Sequence, residues 1–213
     1  MIPFKDENPT RSVPVVTVGL IVANVAIFLW QASLGPGEHY GILRWGLTPL
    51  ELRGMFTYAH GGVSAEPLIT VFTSMFLHGN LLHLAGNMLF LWVFGDNVED
   101  ALGHLRFILF YLVTGIAGAL TQVYTAVDPT VPMIGASGAI SGVLGGYLVL
   151  YPMARVVTLV PLLFYFTVVR IPAFFYLIFW FGIQLLGSGG VRAGAGGGIA
   201  FLAHIGGFAA GAV

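Results

Sequence analysis

Long apolar stretches separated by short polar segments recur along the whole chain. A helix of about 20 apolar residues crosses the core of a bilayer. Repeated apolar stretches of that length are typical of a protein with several membrane spans. Six runs approach that length: Val13 to Gln31, Met75 to Phe94, Phe107 to Val127, Ile134 to Tyr151, Ile171 to Leu186 and Gly198 to Val213. The last run is only about 16 residues long, which is short for a span, so we expect the native chain to continue past Val213.

The segments between these runs differ in character. Ala32 to Ser74 mixes charged residues with aromatic ones, which predicts a long first loop of short amphipathic pieces at the membrane interface. Arg155 to Arg170 is apolar but interrupted by Pro161, and we interpret it as a connection that lies along the membrane. Gly187 to Gly198 is rich in glycine and poorly suited to a fixed structure. Residues 1–12 form a short polar start, and residues 1–213 are predicted to be one membrane domain.

Composition supports an all-α membrane protein. Hydrophobic residues make up 57% of the 213 residues, charged residues only 8%, and the mean hydropathy is +0.92; soluble domains carry about 25% charged residues. The net charge of −1 gives no basic surface for nucleic acid. Because cysteine is absent, disulfides and thiolate metal sites are excluded.

Six spans would place both termini on the same side of the membrane. Seven of the eight basic residues then divide four to three in favour of cytoplasmic termini, since positive charge accumulates on the cytoplasmic side. Lys5, Arg11, Arg106 and Arg155 fall on the terminal side, and Arg44, Arg53 and Arg192 on the other. We therefore expect a multi-pass protein of the cell membrane with cytoplasmic termini.

Polar side chains gather near the start of the second, fourth and sixth spans, which share one depth because these spans run in the same direction. His83 and Asn87 lie four residues apart and therefore on one helix face. Both can donate an N–H to a single oxygen, as an oxyanion hole requires. They can equally form hydrogen bonds that join neighbouring helices. His78, nearer the interface, is expected to be a surface or loop-bonding histidine.

The fourth span begins with Ser137 and the sixth begins near His204. Small residues repeat at a spacing of four on both helices, which allows close packing, and close packing would permit a hydrogen bond from the serine to the imidazole. The repeats are Gly138 and Gly142 on the fourth span and Gly207 and Gly211 on the sixth. Other intramembrane chemistries lack their residues, since the sequence has no HExxH zinc motif and no acidic pair inside a span. No metal site or cofactor is therefore predicted.

Four short motifs resemble those of the rhomboid intramembrane serine proteases, in the order found in that family. They are His83-Leu-Ala-Gly-Asn87 after Phe76 to Asn80, Gly95-Asp96-Asn97-Val98-Glu99, Gly135-Ala136-Ser137-Gly138 and Ala203-His204-Ile205-Gly206-Gly207. The resemblance covers Leu68 to the C-terminus and implies a bundle of six transmembrane helices with a Ser–His dyad and no third acid. It implies Ser137 as nucleophile, His204 as general base, and His83, Asn87 and the Ser137 backbone N–H as oxyanion donors.

The resemblance also implies cleavage of transmembrane or membrane-tethered protein substrates near the outer face of the membrane. The Gly187–Gly198 segment would then be a natural lid over the site.

Members of the family often carry an aromatic residue one turn after the serine, packed on the imidazole, whereas this chain has Ser141; the orientation of the His204 ring is therefore left open. Two alternatives remain, a non-catalytic relative that binds transmembrane clients and a channel or transporter. The sequence does not indicate an oligomeric state.

Overall fold

The computed structural model describes residues 1–57, 66–162, 165–192 and 200–213, and within these ranges the chain forms nine α-helices and three β-strands. The helices are α1 (Val15–Ser33), α2 (Glu38–Trp45), α3 (Pro49–Thr57), α4 (Glu66–Thr73), α5 (Leu81–Leu102), α6 (His104–Thr125), α7 (Ser137–Leu150), α8 (Ala173–Arg192) and α9 (Phe201–Gly211). The strands are β1 (Ile2–Asp6), β2 (Arg155–Leu162) and β3 (Tyr165–Pro172).

Membrane-spanning helices are present, but the predicted number of six is not confirmed. Among the described residues, three helices are long and apolar enough to cross a bilayer, namely α1, α6 and the Ala173–Gly190 part of α8. A fourth span is possible if the bent pair formed by Glu66–Phe76 and Leu81–Leu102, which turns by 80°, counts as one. Helices α7 and α9 are apolar but have only 14 and 11 residues.

The bend before α5 is held by specific polar contacts. The Asn80 side chain caps α5 by accepting a hydrogen bond from the His83 backbone N–H at 2.8 Å, as an N-cap residue does. Gln31 on α1 is buried and bonds both backbone polar groups of His78, accepting from its N–H at 3.0 Å and donating to its carbonyl at 3.2 Å. These contacts satisfy the backbone where the helix is interrupted.

The prediction of an all-α chain is wrong at the other end of the bundle, where the chain forms a three-stranded β-sheet. The Arg155–Arg170 segment is an antiparallel hairpin of β2 and β3, and β1, from the segment expected to be only a polar start, pairs with β2. The physical reason is the content of β-branched residues in the hairpin. Alternate residues of β2, including Val156 and Thr158, are fully buried on one face of the sheet.

Helix α5 extends further than its apolar run predicted. The polar cluster Gly95 to Asp100 is helical, and the helix ends where Gly103 adopts φ +77°. Glu99 in this last part is fully buried and caps the start of α1, accepting from the N–H groups of Val16 at 2.9 Å and Thr17 at 2.7 Å. Negative charge at a helix N-terminus is stabilising, so Glu99 fastens α1 to α5.

The first loop packs against the bundle. A small apolar cluster joins Leu47 and Leu52 of the loop to Met75 and to α6. Leu47 also exchanges both backbone hydrogen bonds with Met133, in the segment that leads into α7. The start of α7 is therefore supported by the loop that precedes α4.

Candidate active site

Ser137 is the first residue of α7, and the turn before it depends on a glycine. Gly135 has φ +123°, a conformation that side chains rarely adopt, and its N–H donates to the Ser74 carbonyl at 2.8 Å. A Cβ at Gly135 would lie 2.8 Å from the His83 ring and 3.6 Å from Ser137 Oγ. The missing side chain therefore lets the His83 imidazole and the Ser137 hydroxyl share one space.

Ser137 Oγ lies 2.7 Å from His204 Nε2. His204 is carried by α9, which packs against α7 at two glycines. A Cβ at Gly207 would fall 2.0 Å from the Gly138 carbonyl oxygen, and one at Gly211 would fall 2.0 Å from that of Gly142. Backbone oxygens cannot rotate away, so only glycine permits the separation that brings the two side chains together.

Helix α9 is also packed on a second side, which the sequence did not predict. By helix geometry, Gly206 points about 160° away from His204. A Cβ at Gly206 would lie 2.1 Å from Thr121 Oγ1 and 2.5 Å from Thr121 Cβ on α6. Helix α9 therefore lies between α7 and α6, and it packs closely on both through glycines.

Three side chains that sequence reasoning missed surround the other side of the His204 ring. Gln184 of α8 places Oε1 2.8 Å from His204 Nδ1. The Trp180 ring lies 6.1 Å from the imidazole between centroids at 34°, and the Phe201 ring lies 6.4 Å away at 78°. A polar Gln184 inside an apolar run is the one signal in the sequence that could have drawn attention to this helix face.

The two candidate oxyanion donors lie on α5, close to the serine. His83 lines the same cavity as Ser137, and its ring meets that of His78 edge-on with centroids 5.1 Å apart. Asn87 is 8% exposed and donates one N–H to His78 Nε2 at 2.9 Å, which leaves its second amide hydrogen for another acceptor. The expectation that His78 is a surface histidine is wrong, because its side chain is fully buried.

All four candidate residues line one cavity of about 980 Å³. Apolar side chains form much of its wall, including Phe90, Ile140, Leu144 and Trp180. The volume lies at the upper end of the range common for small-molecule sites, about 300–1,000 Å³.

Half of the predicted lid, Gly187–Gly198, lies outside the described residues. Positions 187–192 belong to the end of α8, and positions 193–199 are not described. Gly187 packs tightly against Phe201, since a Cβ there would lie 2.5 Å from the Phe201 ring.

The arrangement combines the parts of a hydrolytic serine site. A hydroxyl within hydrogen-bond reach of an imidazole nitrogen is the geometry of an activated nucleophile. Ser137 stands at a helix N-terminus, where the first N–H groups have no acceptor within the helix and favour negative charge. Other donors for such a charge lie on α5, across the cavity from α7.

Comparison with known proteins matches residues 65–213 to the Rhomboid domain. The chain is 45% identical over 76 residues to the rhomboid protease GluP of Bacillus subtilis (36% of this chain, 14% of that protein). It is 36% identical over 96 residues to rhomboid protein 1, mitochondrial, of Saccharomyces cerevisiae (43% and 28%). It is 29% identical over 153 residues to the human presenilin-associated rhomboid-like protein, mitochondrial (70% and 36%).

The matched part of the chain therefore spans at most about a third of the length of these relatives. The matched family model covers well over half of the chain, and it includes α5, α7, α8 and α9, which carry the cavity. The chain belongs to the rhomboid family.

Proposed function

We propose that this protein is an intramembrane serine endopeptidase that cleaves transmembrane or membrane-tethered proteins with the dyad Ser137 and His204. The observation that carries the proposal is the 2.7 Å contact between Ser137 Oγ and His204 Nε2 in a large, partly apolar cavity. The name of the Bacillus relative, a rhomboid protease, supports the same activity.

In the proposed reaction, Ser137 Oγ attacks the carbonyl carbon of a substrate peptide bond while His204 Nε2 takes the hydroxyl proton. The tetrahedral intermediate collapses, the C–N bond breaks, and His204 returns the proton to the leaving amine. Water then attacks the acyl-serine with His204 as base again, which releases the carboxylate product and restores the serine.

Negative charge develops on the carbonyl oxygen in both steps. The Ser137 N–H lies at the N-terminus of α7, and His83 and Asn87 line the same cavity, so donors from two helices can converge on that oxygen. Donors that are fixed before the reaction stabilise such a charge without reorganisation and are often the largest catalytic contribution.

The short length of α7 supports cleavage below the membrane surface. Fourteen residues span about 21 Å as a helix, less than the hydrocarbon core of about 30 Å. A helix that ends short of one surface leaves its first residue, Ser137, at a depth that a transmembrane substrate can reach and that water can enter from the same side. We propose that this side is the outer one, with both termini in the cytoplasm.

Cleavage of a panel of single-span substrates by the purified protein in detergent or vesicles tests the proposal. We expect Ser137→Ala and His204→Ala each to abolish cleavage, and a fluorophosphonate reagent to label Ser137 only when His204 is present. The matched control is Ser33→Ala on α1, whose hydroxyl donates to the Trp30 carbonyl of its own helix.

Labelling of Ser141 rather than Ser137, read by mass spectrometry, would show that the nucleophile is wrong. Wild-type turnover by either dyad variant would rule out the mechanism. A folded wild-type protein that binds the substrates but neither cleaves them nor reacts with the reagent would favour the non-catalytic alternative.

A further inference from the structure

Gln184 contacts the side of the His204 ring that faces away from the serine. We infer that Gln184 is a positioning residue that fixes the tautomer and the orientation of the His204 imidazole, with its carbonyl oxygen accepting the Nδ1–H. The inference rests on the proposed function, in which His204 is the base.

The orientation of the Gln184 amide follows from its two contacts. Its Nε2 donates to the Trp180 backbone carbonyl at 3.3 Å, and a carbonyl oxygen can only accept. Its Oε1 is therefore the atom placed 2.8 Å from His204 Nδ1. Gln184 is 7% exposed, so water competes little for either group. A flipped amide would set its oxygen against the Trp180 carbonyl oxygen and lose that hydrogen bond.

An acceptor at Nδ1 determines the state of the other ring nitrogen. A neutral imidazole carries one proton, and Gln184 Oε1 holds that proton on Nδ1. Nε2 then presents its lone pair to Ser137 Oγ, 2.7 Å away, as removal of the hydroxyl proton requires. The opposite tautomer would direct an N–H at the serine and leave the buried Gln184 Oε1 without a donor, which is unfavourable.

This role accounts for a position at which the chain departs from its family's pattern. Ser141 lies one turn after Ser137, where an aromatic ring often packs on the imidazole, and its hydroxyl donates instead to the Ser137 carbonyl at 2.6 Å. Ser141 therefore does not hold the ring. Gln184 fixes the ring through a hydrogen bond, and Trp180 and Phe201 of α8 and α9 flank it.

A neutral amide suits this place better than a carboxylate would. A charged acidic residue inside a membrane span is energetically costly, whereas glutamine supplies an acceptor oxygen without a charge. The site can thus control the tautomer of its base without a third acid.

The test compares Gln184→Met, which keeps the size and removes the acceptor, with Gln184→Glu, which keeps an acceptor at the same reach. Leu186→Met on the same helix is the matched control, because Leu186 is 79% exposed. Two quantities are measured for each folded variant in detergent. They are kcat and KM for a cleaved substrate, and the protonation of each His204 ring nitrogen by ¹⁵N NMR of histidine-labelled protein, assigned by difference from His204→Ala.

We expect Gln184→Met to lower kcat about 10–100-fold, by analogy with the loss of the hydrogen-bond partner of a metal-bound imidazole, with KM changed less than about threefold. The wild type should show a single Nδ1–H tautomer, and Gln184→Met a mixture of both. Gln184→Glu should keep the Nδ1–H tautomer and at least about a third of the wild-type kcat, and Leu186→Met should match the wild type.

A single Nδ1–H tautomer in Gln184→Met together with wild-type kcat would overturn the inference. If Gln184→Met does not fold, Gln184→Asn decides in the same way, because its shorter side chain keeps the amide but withdraws the acceptor. The NMR measurement does not depend on turnover. A wild type that cleaves nothing but shows the single tautomer therefore counts against the proposed function and for the role of Gln184.

Discussion

At the scale of single residues, existing hydrogen bonds limit what some of the polar side chains around the cavity can do. Asn87 is the clearest case, because one of its two amide hydrogens is already donated to His78 Nε2. Only the other hydrogen can reach a reacting oxygen. Among the described residues, the His83 ring makes no hydrogen bond to another side chain. It lies next to Gly135, close to Ser137 Oγ. The two candidate oxyanion donors should therefore respond differently to removal.

We predict that His83→Ala and Asn87→Ala each lower kcat by less than the dyad variants do, by about 10²–10³-fold, the usual effect of one lost donor. Asn87→Ala should also lower the melting temperature more than His83→Ala, because it leaves the fully buried His78 without its hydrogen bond. Turnover and thermal unfolding are measured side by side, with the exposed Leu81→Ala on the same helix as control. Normal turnover by both variants would mean that these residues only join helices.

A second residue-scale prediction concerns Asp6 in β1, outside the membrane spans. Burial is the largest cause that raises the pKa of Asp6 from 3.8 to about 6; Asp96 acts in the same direction, and the hydrogen bond from the Tyr147 hydroxyl opposes it. The folded protein thus binds this proton more tightly than the unfolded chain does. The contribution of Asp6 to stability is fully present below its unfolded pKa and is lost as the pH rises through about 6.

Asp6→Asn should therefore gain stability relative to the wild type as the pH is raised from about 4 to about 7. Thermal unfolding in detergent at both pH values measures the difference. Asp128→Asn is the control, because hydrogen bonds from Thr130 lower the pKa of Asp128 from 3.8, so the effect of its titration on stability falls below this pH range. A difference between Asp6→Asn and wild type that does not change with pH would contradict the pKa assigned to Asp6.

The sequence indicates some of these residues and not others for a physical reason. Ser137 and His204 stand out because a polar side chain beside glycines is unusual in an apolar run. Gln184 does not stand out in the same way, since its contact with His204 depends on how α8 is rotated relative to α9. No periodicity within one helix reveals that rotation. The burial of His78 is hidden likewise, because Gln31 on a distant helix holds it in place.

At the scale of elements, α9 is the piece that sets the spacing of the site. Gly207 and Gly211 meet backbone oxygens of α7, and Gly206 meets Thr121 of α6. The glycine spacing in the sequence indicated the contact with α7 but not the one with α6. A helical wheel describes one face at a time, whereas a helix inside a bundle has neighbours on several.

We predict that Gly207→Ala and Gly211→Ala lower both the melting temperature and the rate, since the added Cβ forces α7 and α9 apart. A displacement of about 1 Å can cost about 10²-fold in rate. Gly206→Ala should be destabilising as well, and Thr121→Gly should partly restore it, because the obstacle there is a side chain.

Gly182→Ala on α8 is the matched control. Nothing lies within 4 Å of a Cβ at Gly182, so alanine there should be neutral or stabilise the helix by up to about 1 kcal/mol. If Gly207→Ala behaves like Gly182→Ala in rate and melting temperature, the close packing of α7 on α9 is wrong.

The hydropathy pattern of the sequence does not predict the β-sheet. Both faces of the β2–β3 hairpin carry apolar side chains, so the segment resembles an amphipathic or membrane-lying stretch when hydropathy alone is considered. Its β-branched content was the available signal. Pairing with β1 could not be foreseen, because the partner strand lies at the far end of the sequence.

At the scale of the whole molecule, the cavity lies at one end of α7 and the sheet follows its other end. The chain has no cysteine, so single cysteines can report which end faces outward. We predict that Asp128→Cys, in the loop before α7, reacts with a membrane-impermeant thiol reagent applied to intact cells, and that Met153→Cys, just after α7, does not. Both side chains are exposed, so access through the membrane is the only difference. The reverse pattern would overturn the orientation based on the narrow count of basic residues.

The position of β1 also has a consequence for the order in which the protein is built. Ile2 pairs with Leu159, and Asp6 with Val156. Strand β1 therefore leaves the ribosome long before its partner β2 has been made. Helices α1, α5, α6 and α7 are made in between, and β1 cannot close its ladder until they have been inserted. The closure joins the two ends of a long loop, which is slow relative to local folding. Ribosome-bound chains that stop before residue 155 should therefore leave their first residues open to proteolysis, whereas released full-length chains should protect them.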